Sequence, residues 1–538
     1  MKFYGRQDIV SLLNKRADGL AGGYRQNIAI MAEELMGKTY LVQHWVSHYQ
    51  NNLIVPVYID VNIQEASTFR AKFVGRLLFS FLKNSQIALK EDIDFLISHS
   101  QKYIPKTVSR IKELLSGKKY RKFSAAFVRL LELTELFYEE TGKRCIIILD
   151  EFHLIDELKA KDTYEQWRKH IMFGKNTMYI LLSSKKSLAA KILSSDLTLL
   201  FGNFETVELH PFDNKTAQSF IRDELGVLQA DSALLDFIIN FTAGNPFYLK
   251  TIATAFKDHH SKNAALVPTV NSLAASLENM FMDTWGILNR RFVSLLETIG
   301  KRLLEPAFVH ALIGLASGIN RPSQIAQAIG KAKKDALSVL NHLCSCEVVV
   351  KTADIYCVRD KVFCFWLRCI YAHKFRSFSA SYEAQKASFG AELKSLFTKF
   401  YDAQAKDTSE RILELFNQFS NESIEIHHKR LRLNHFKEVK LVKMHGKKLK
   451  EGILARASSS LWITGFKEEK ALEEDMVDFV NVCKRFKYNK NQKKIFIAFD
   501  GIDANAHLLA KEERIATWDM ALVNSLLDMY DKPRIVMP

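Results

Sequence analysis

The chain has 538 residues, 48% apolar and 25% charged, with 22 glycines and 9 prolines. That length exceeds what one hydrophobic core supports, and the composition excludes a disordered or collagen-like chain, so several folded, helix-rich domains are expected. A net charge of +16 is compatible with a nucleic-acid partner. No apolar run reaches the roughly 18 residues of a membrane span, and the start "MKFYGRQDIV" has no signal-peptide core, so the expectation is a cytoplasmic protein with no membrane partner.

The first part alternates short apolar runs with helical stretches: "NIAIM", "LIVPVYIDV", "CIIILD", "MYILLSS" and "TVELHPF". The alternation predicts an α/β fold, a parallel sheet covered by helices. Pro56 interrupts the second run and cannot donate to a strand ladder, which predicts a sheet edge. Helices are expected at 69–83, within 104–140, and from Asn214 to about Lys262, with a boundary at "TAGNPF". Further on, "RPSQIAQAIGKAKKDALSVLNHL" reads as two short helices split at Gly330, and "EVVVKTADIYCVRD" as a hairpin, the order of a winged helix. A helical connector at 379–419 leads to a second α/β part with strands expected in "FKEVKLVK", "SLWITGF", "KKIFIAF" and "RIVM".

The chemistry concentrates in two of these segments. In "IAIMAEELMGKTYLVQ" a strand runs through Gly37, Lys38 and Thr39 into a helix, the second half of a phosphate-binding loop. Lys38 would reach the phosphates of ATP, Thr39 would supply a hydroxyl to Mg2+, and the helix N-terminus would add its positive dipole end. Ala32 stands where the pattern has its first glycine, followed by Glu33 and Glu34. In "RCIIILDEFHLID" a strand ends in Asp150 and Glu151, the first a candidate for holding Mg2+ and the second for orienting or deprotonating an attacking water. Ser183 and Ser184 end another strand, where they could sense a terminal phosphate.

These segments together resemble the STAND branch of AAA-like ATPases. "FYGRQDIVSLL" is similar to its opening motif, "LDEFHLID" to its Walker B segment, and "TAGNPFYLKTIA" to its G-x-P lid. "IYCVRDKVFCFWLRCIY" is similar to the end of the winged helix in archaeal and bacterial members, so the resemblance spans about residues 1–372. It implies that Gly5, Arg6 and Pro246 lie near the adenine. The family usually has glycine at Ala32, basic residues at Glu33 and Glu34, and in many members an arginine where Asn203 stands; loss of a charge-stabilising arginine slows hydrolysis.

The expected division is a P-loop ATPase core at 1–212, a helical lid at 213–286, a winged helix at 287–372, a connector at 373–420 and a last domain at 421–538. Lys333 and Lys334 head the second short helix of the winged helix, where a polar face could contact DNA. The last domain resembles the restriction-endonuclease-like domain that members of this family often carry. There the matching metal-ligand positions hold Lys440 and Gly465, leaving Lys467, so a domain without nuclease activity is expected, with Lys440 and Lys467 as candidate phosphate contacts. "HHKRLRLNHFKEVKLVKMHGKKLK", at 427–450, carries Glu438 as its one acid. A shifted catalytic set of Glu438, Glu468 and Lys470 would instead make an ATP-controlled nuclease, and a vestigial pocket would make a non-enzymatic scaffold. The partner is double-stranded DNA or a protein, and a homo-oligomer is compatible with the sequence. Seven cysteines without a C-x-x-C pair read as free thiols, with Cys344, Cys346, Cys357 and Cys364 as an alternative zinc set.

Overall fold

The computed structural model describes residues 2–61, 65–83, 88–116, 123–158, 163–198, 204–263, 267–300, 306–352, 354–376, 381–426, 429–486 and 491–537. The chain forms two compact units, Met1–Phe212 with Asn245–Phe247, and Asp213–Gly244 with Tyr248–Pro538.

The first unit is built on five parallel strands: β1 (Ile28–Met31), β2 (Ile54–Asp60), β3 (Arg144–Asp150), β4 (Thr177–Ser183) and β5 (Glu205–Glu208). Their order is β2-β3-β4-β1-β5. All five coincide with the predicted runs. Pro56 lies on β2, which pairs on one side only, opposite Ile146 of β3. The strand can therefore lack one N–H without breaking a second ladder.

Helices cover both faces of this sheet. Ile28 and Ile30 pack with Leu13, Leu20, Leu41 and Trp45 on one side, while Ala29, Ile147 and Leu149 pack with Phe73, Phe127 and Leu131 on the other. Burial on both faces explains why β3 reads as a continuous apolar run rather than an alternating one. Because β4 lies between β1 and β3, the segments that follow these three strands emerge side by side at one edge of the sheet. Ligands of open parallel sheets bind at such an edge.

The second unit begins with helices Asn214–Leu225 and Ser232–Thr242. Helices Pro322–Ile329 and Lys333–Ser345 are separated at Gly330, which takes φ 64°. Ala336, Val339, Leu340 and Leu343 face inward, and the antiparallel hairpin of β6 (Val349–Thr352) and β7 (Ile355–Val358) follows. This is the helix, turn, helix, hairpin order read from the sequence. Helices Tyr382–Gln404 and Thr408–Phe416 fall in the segment expected to be a helical connector.

A short hairpin, β8 (Glu422–Ile426) and β9 (Lys429–Leu433), precedes a second five-stranded sheet. That sheet contains β10 (Glu438–Lys443), β11 (Glu451–Arg456), β12 (Ser460–Lys467), β13 (Asn491–Ala498) and β14 (Ile515–Asp519), in sequence order. Its first three strands are antiparallel and the last three parallel. The predicted strand in "RIVM" is not one. There the Ile535 N–H donates to Asn524 Oδ1 at 2.8 Å, and the carbonyls of Ile535 and Val536 accept from Asn524 and Gln404 side chains, both at 3.1 Å. Side-chain amides satisfy the backbone groups that a neighbouring strand would otherwise pair. The predicted strands also omitted β8, β9, β11 and β14. Among the described residues, no helix is long and apolar enough to cross a membrane.

Candidate nucleotide site

The loop after β1 turns through two left-handed residues, Leu35 at φ 64° and Gly37 at φ 81°. Gly37 caps helix Lys38–His48, and its carbonyl accepts from the Leu41 N–H at 2.9 Å. Ala32 does not share the positive φ of those residues. It is fully buried, and its N–H donates to the Ser183 carbonyl at 3.2 Å, continuing the β1–β4 ladder by one residue. The methyl group at this position therefore imposes no backbone strain, because the conformation here does not require glycine.

Glu33 and Glu34 are balanced locally. Glu34 Oε1 lies 3.5 Å from Lys185 Nζ and Glu33 Oε1 lies 4.0 Å from Lys186 Nζ, and Lys186 also pairs with Glu208. Lys38 is 5% exposed and donates to the carbonyls of Ala32 and Glu33 at 3.4 and 3.3 Å. Its Nζ lies 3.6 Å from Glu151 Oε1. Burial lowers the Lys38 pKa, against the pull of Glu151, Asp150 and Glu34.

Asp150, at the end of β3, is 3% exposed. Its Oδ2 accepts from Thr39 Oγ1 at 2.5 Å and from the Tyr58 hydroxyl at 2.6 Å. Its Oδ1 is buried without a hydrogen-bond partner. A buried carboxylate oxygen left unsatisfied is costly, and beside a threonine hydroxyl it forms the hard-oxygen donor set that Mg2+ takes. The residues present thus fit a bound Mg2+.

Glu151 follows at φ 54°, outside the usual range for a side-chain-bearing residue. The turn brings Oε2 to 2.8 Å from the Ser184 N–H, which donates to it, and to 3.4 Å from His153 Nδ1. Burial raises the Glu151 pKa, opposed by Lys38 and the Ser184 N–H. Ser183 is fully buried and its Oγ shares a hydrogen bond of 2.9 Å with His153 Nδ1.

Arg6 lies beside the loop: a Cβ added at Gly37 would meet its Nη1 at 3.4 Å. Arg6 caps helix Gln7–Ala21 at φ 59°, donates to the His210 carbonyl at 3.3 Å, and stands 5.3 Å over the Phe212 ring. Burial lowers its pKa to about 10, opposed by Asp8. Pro246 opens helix Pro246–Lys262, and residues 245–247 belong to the same compact unit as the loop.

The structure thus brings Lys38, Thr39, Asp150, Glu151, Ser183 and Ser184 to one edge of the sheet. Tyr58 and His153 were missed. Tyr58 sits on an apolar strand without a motif, and only the β2–β3 pairing discloses its contact with Asp150. His153 lies within "LDEFHLID", and only the position of β4 discloses its contact with Ser183. Asn203 lies outside the described residues.

The other candidate lysines stand elsewhere. Lys333 and Lys334 are exposed at the start of their helix. Lys440 is exposed on the edge strand β10, 2.5 Å from Glu438, which also lies 3.9 Å from Arg456. Lys467 Nζ donates to Asp475 Oδ2 at 2.6 Å, and Asp475 is 1% exposed, so this lysine serves a buried ion pair. A Cβ at Gly465 would meet the Phe479 ring at 2.8 Å, leaving no room for a carboxylate. In the shifted set, Glu468 accepts from Thr408 Oγ1 at 2.8 Å. All seven cysteines are free, and among the described residues no three His, Cys, Asp or Glu side chains form a metal-binding group.

No protein-family model and no curated protein matches the sequence. Among solved structures, the chain is similar to a Walker-type ATPase of Pyrococcus abyssi, at 18% identity and a TM-score of 0.48, over 68% of this chain and 96% of that one. It is also similar to the ORC2 protein of Aeropyrum pernix in ADPNP-ADP complexes, at 10% identity and a TM-score of 0.43, over 74% and 96%. A third likeness is to the RuvB Holliday junction branch migration motor of Thermotoga maritima, at 14% identity and a TM-score of 0.34, over 70% and 97%.

Proposed function

We propose that the first unit binds ATP with Mg2+ and acts as a slow ATPase or nucleotide-dependent switch of the STAND type. The observation that carries this reading is the Thr39–Asp150 hydrogen bond beside the unsatisfied Asp150 Oδ1, with Thr39 following Gly37 and Lys38 in the chain. Bound Mg2+ would neutralise phosphate charge there, and Thr39 and Asp150 would hold it.

Lys38 would exchange its carbonyl and Glu151 partners for phosphate oxygens. Glu151, with burial favouring its protonated form and Lys38 opposing that, would orient and deprotonate water. Arg6 and Pro246 would flank the base. Slow turnover follows from the absence of arginine at position 203, while Ala32 sets no limit. The reading keeps the division into a core at 1–212, a lid at 213–286, a winged helix at 287–372, a connector at 373–420 and a nuclease-like, non-cleaving domain at 421–538.

ATP binding and turnover with Mg2+, compared across the intact chain, Lys38→Ala and Glu151→Gln, test it. Lys38→Ala should lose binding. Glu151→Gln should retain binding, or tighten it as Lys38 is released from its ion pair, while turnover falls by about a hundredfold or more. Binding unchanged by Lys38→Ala would refute the nucleotide reading. A second reading, DNA contact through Lys333 and Lys334, is supported by their exposure on the polar face of a helix whose other face is buried. Salt-dependent duplex binding weakened by Lys333→Gln with Lys334→Gln would support it, and unchanged binding would oppose it.

A further inference from the structure

In the second unit, an open cavity of about 510 Å3 lies where β12 and β13 begin, walled by β9 and the residues after it. Arg432, His435 and Lys493 line it, together with serine and asparagine side chains, and among the described residues no Asp or Glu lines it. Asn434 Nδ2 donates to Ser460 Oγ at 2.7 Å and ties the two walls together.

Several cations of this unit meet a carboxylate. Lys440, Lys467 and Lys494 each have a carboxylate within 3.4 Å. Among the described residues, neither Arg432 nor Lys493 has one. Lys493 Nζ instead sits 4.0 Å from the centroid of the Trp462 ring, and Trp462 is 1% exposed. Its pKa falls to about 8 through burial alone, with no opposing carboxylate. A half-buried cation costs free energy unless an anion meets it. A guanidinium, an ammonium and neutral donors around a cavity whose described lining holds no acid match an anion with several oxygens.

We propose that this cavity binds a phosphate group carried on a nucleotide-sized ligand, either a free nucleotide or a nucleotide within a DNA strand. Its volume lies in the range of small-ligand sites and exceeds what a bare phosphate fills. Arg432 and His435 belong to the basic run 427–450, which the P-loop chemistry does not use. The proposal deepens the reading of the C-terminal part as a binding face and is independent of ATP binding at Lys38.

The test uses the full chain carrying Lys38→Ala, so that occupancy of the phosphate-binding loop is not read. The probes are a labelled 5′-phosphorylated single-stranded oligonucleotide, followed by anisotropy, and dAMP, followed by calorimetry. Arg432→Gln and Lys493→Gln should each weaken binding of whichever probe binds by about tenfold, the loss of one charge-assisted hydrogen bond. Lys169→Gln, an exposed lysine of the first unit outside the cavity, should change it by less than about threefold, as expected of an exposed charge. Arg432 is exposed, so its substitution leaves the fold intact should Lys493→Gln disturb it. Binding of dAMP lost in the variants identifies a free nucleotide. Oligonucleotide binding lost in the variants and not displaced by dAMP identifies a strand. Absence of binding by both probes, or affinities unchanged by Arg432→Gln, would overturn the proposal.

Discussion

Ala32→Gly restores the residue that the phosphate-loop pattern calls for, and the geometry says that it should do harm. Ala32 is fully buried, packs with Ile30, Met36 and Leu41, and extends the β1–β4 ladder with a φ that is not positive. Removing its methyl forfeits about 0.8 kcal/mol of apolar burial. The greater backbone freedom of glycine in the unfolded chain adds about 0.5–1 kcal/mol. The sum, about 1.5 kcal/mol, corresponds to a fall of roughly 3–6 °C in Tm for a unit of this size. Differential scanning calorimetry of the full chain reads that shift, and ATP titration reads affinity. Tm should fall while the Kd for ATP stays within about twofold, because the loop's unusual backbone is supplied by Leu35 and Gly37. A tenfold gain in affinity, or a rise in Tm, would refute the reasoning.

Tyr58→Phe removes one of the two donors to Asp150 Oδ2 and should cost about 1–2 kcal/mol of stability without bound nucleotide; an unchanged Tm would mean that this bond is unimportant. Lys467→Met leaves Asp475, 1% exposed, without its cation, and should destabilise the protein by about 3 kcal/mol. If Lys467 were instead a phosphate contact, the substitution would weaken DNA binding and leave Tm alone. Lys493, with its folded pKa depressed to about 8 from an ordinary 10.5, gives a signed pH dependence. Between pH 8 and 10.5 the unfolded chain binds the extra proton, so this residue's contribution to stability rises with pH across that window. Lys493→Met should flatten that rise, as followed by urea midpoints, and a rise of unchanged slope would place its origin elsewhere.

Much of the first unit was legible in the chain itself. A strand buried on both faces must be apolar throughout, so β3 and β4 stand out, and a proline that cannot donate must sit where a ladder ends, so Pro56 marked the edge. Gly37-Lys38-Thr39 and Asp150-Glu151 were visible because their chemistry needs consecutive residues. Tyr58 and His153 were not, since their roles arise from hydrogen bonds across strands that are distant in sequence. The meaning of Ala32 was also hidden, because a residue name does not report φ; the β1–β4 ladder decided it. In the second unit, β11 and β14 are short and end in charged residues, and "RIVM" has the composition of a strand, yet Asn524 and Gln404 take the backbone groups that pairing would need. Likewise the basic run 427–450 showed only a concentration of charge. Tertiary structure decided which cations meet carboxylates, as Lys440 and Lys467 do, and which, like Arg432 and Lys493, face a cavity with no carboxylate among its described lining residues. Local pattern determines which segments can form strands, helices and turns, whereas the electrostatic state of a side chain depends on neighbours brought from elsewhere in the chain.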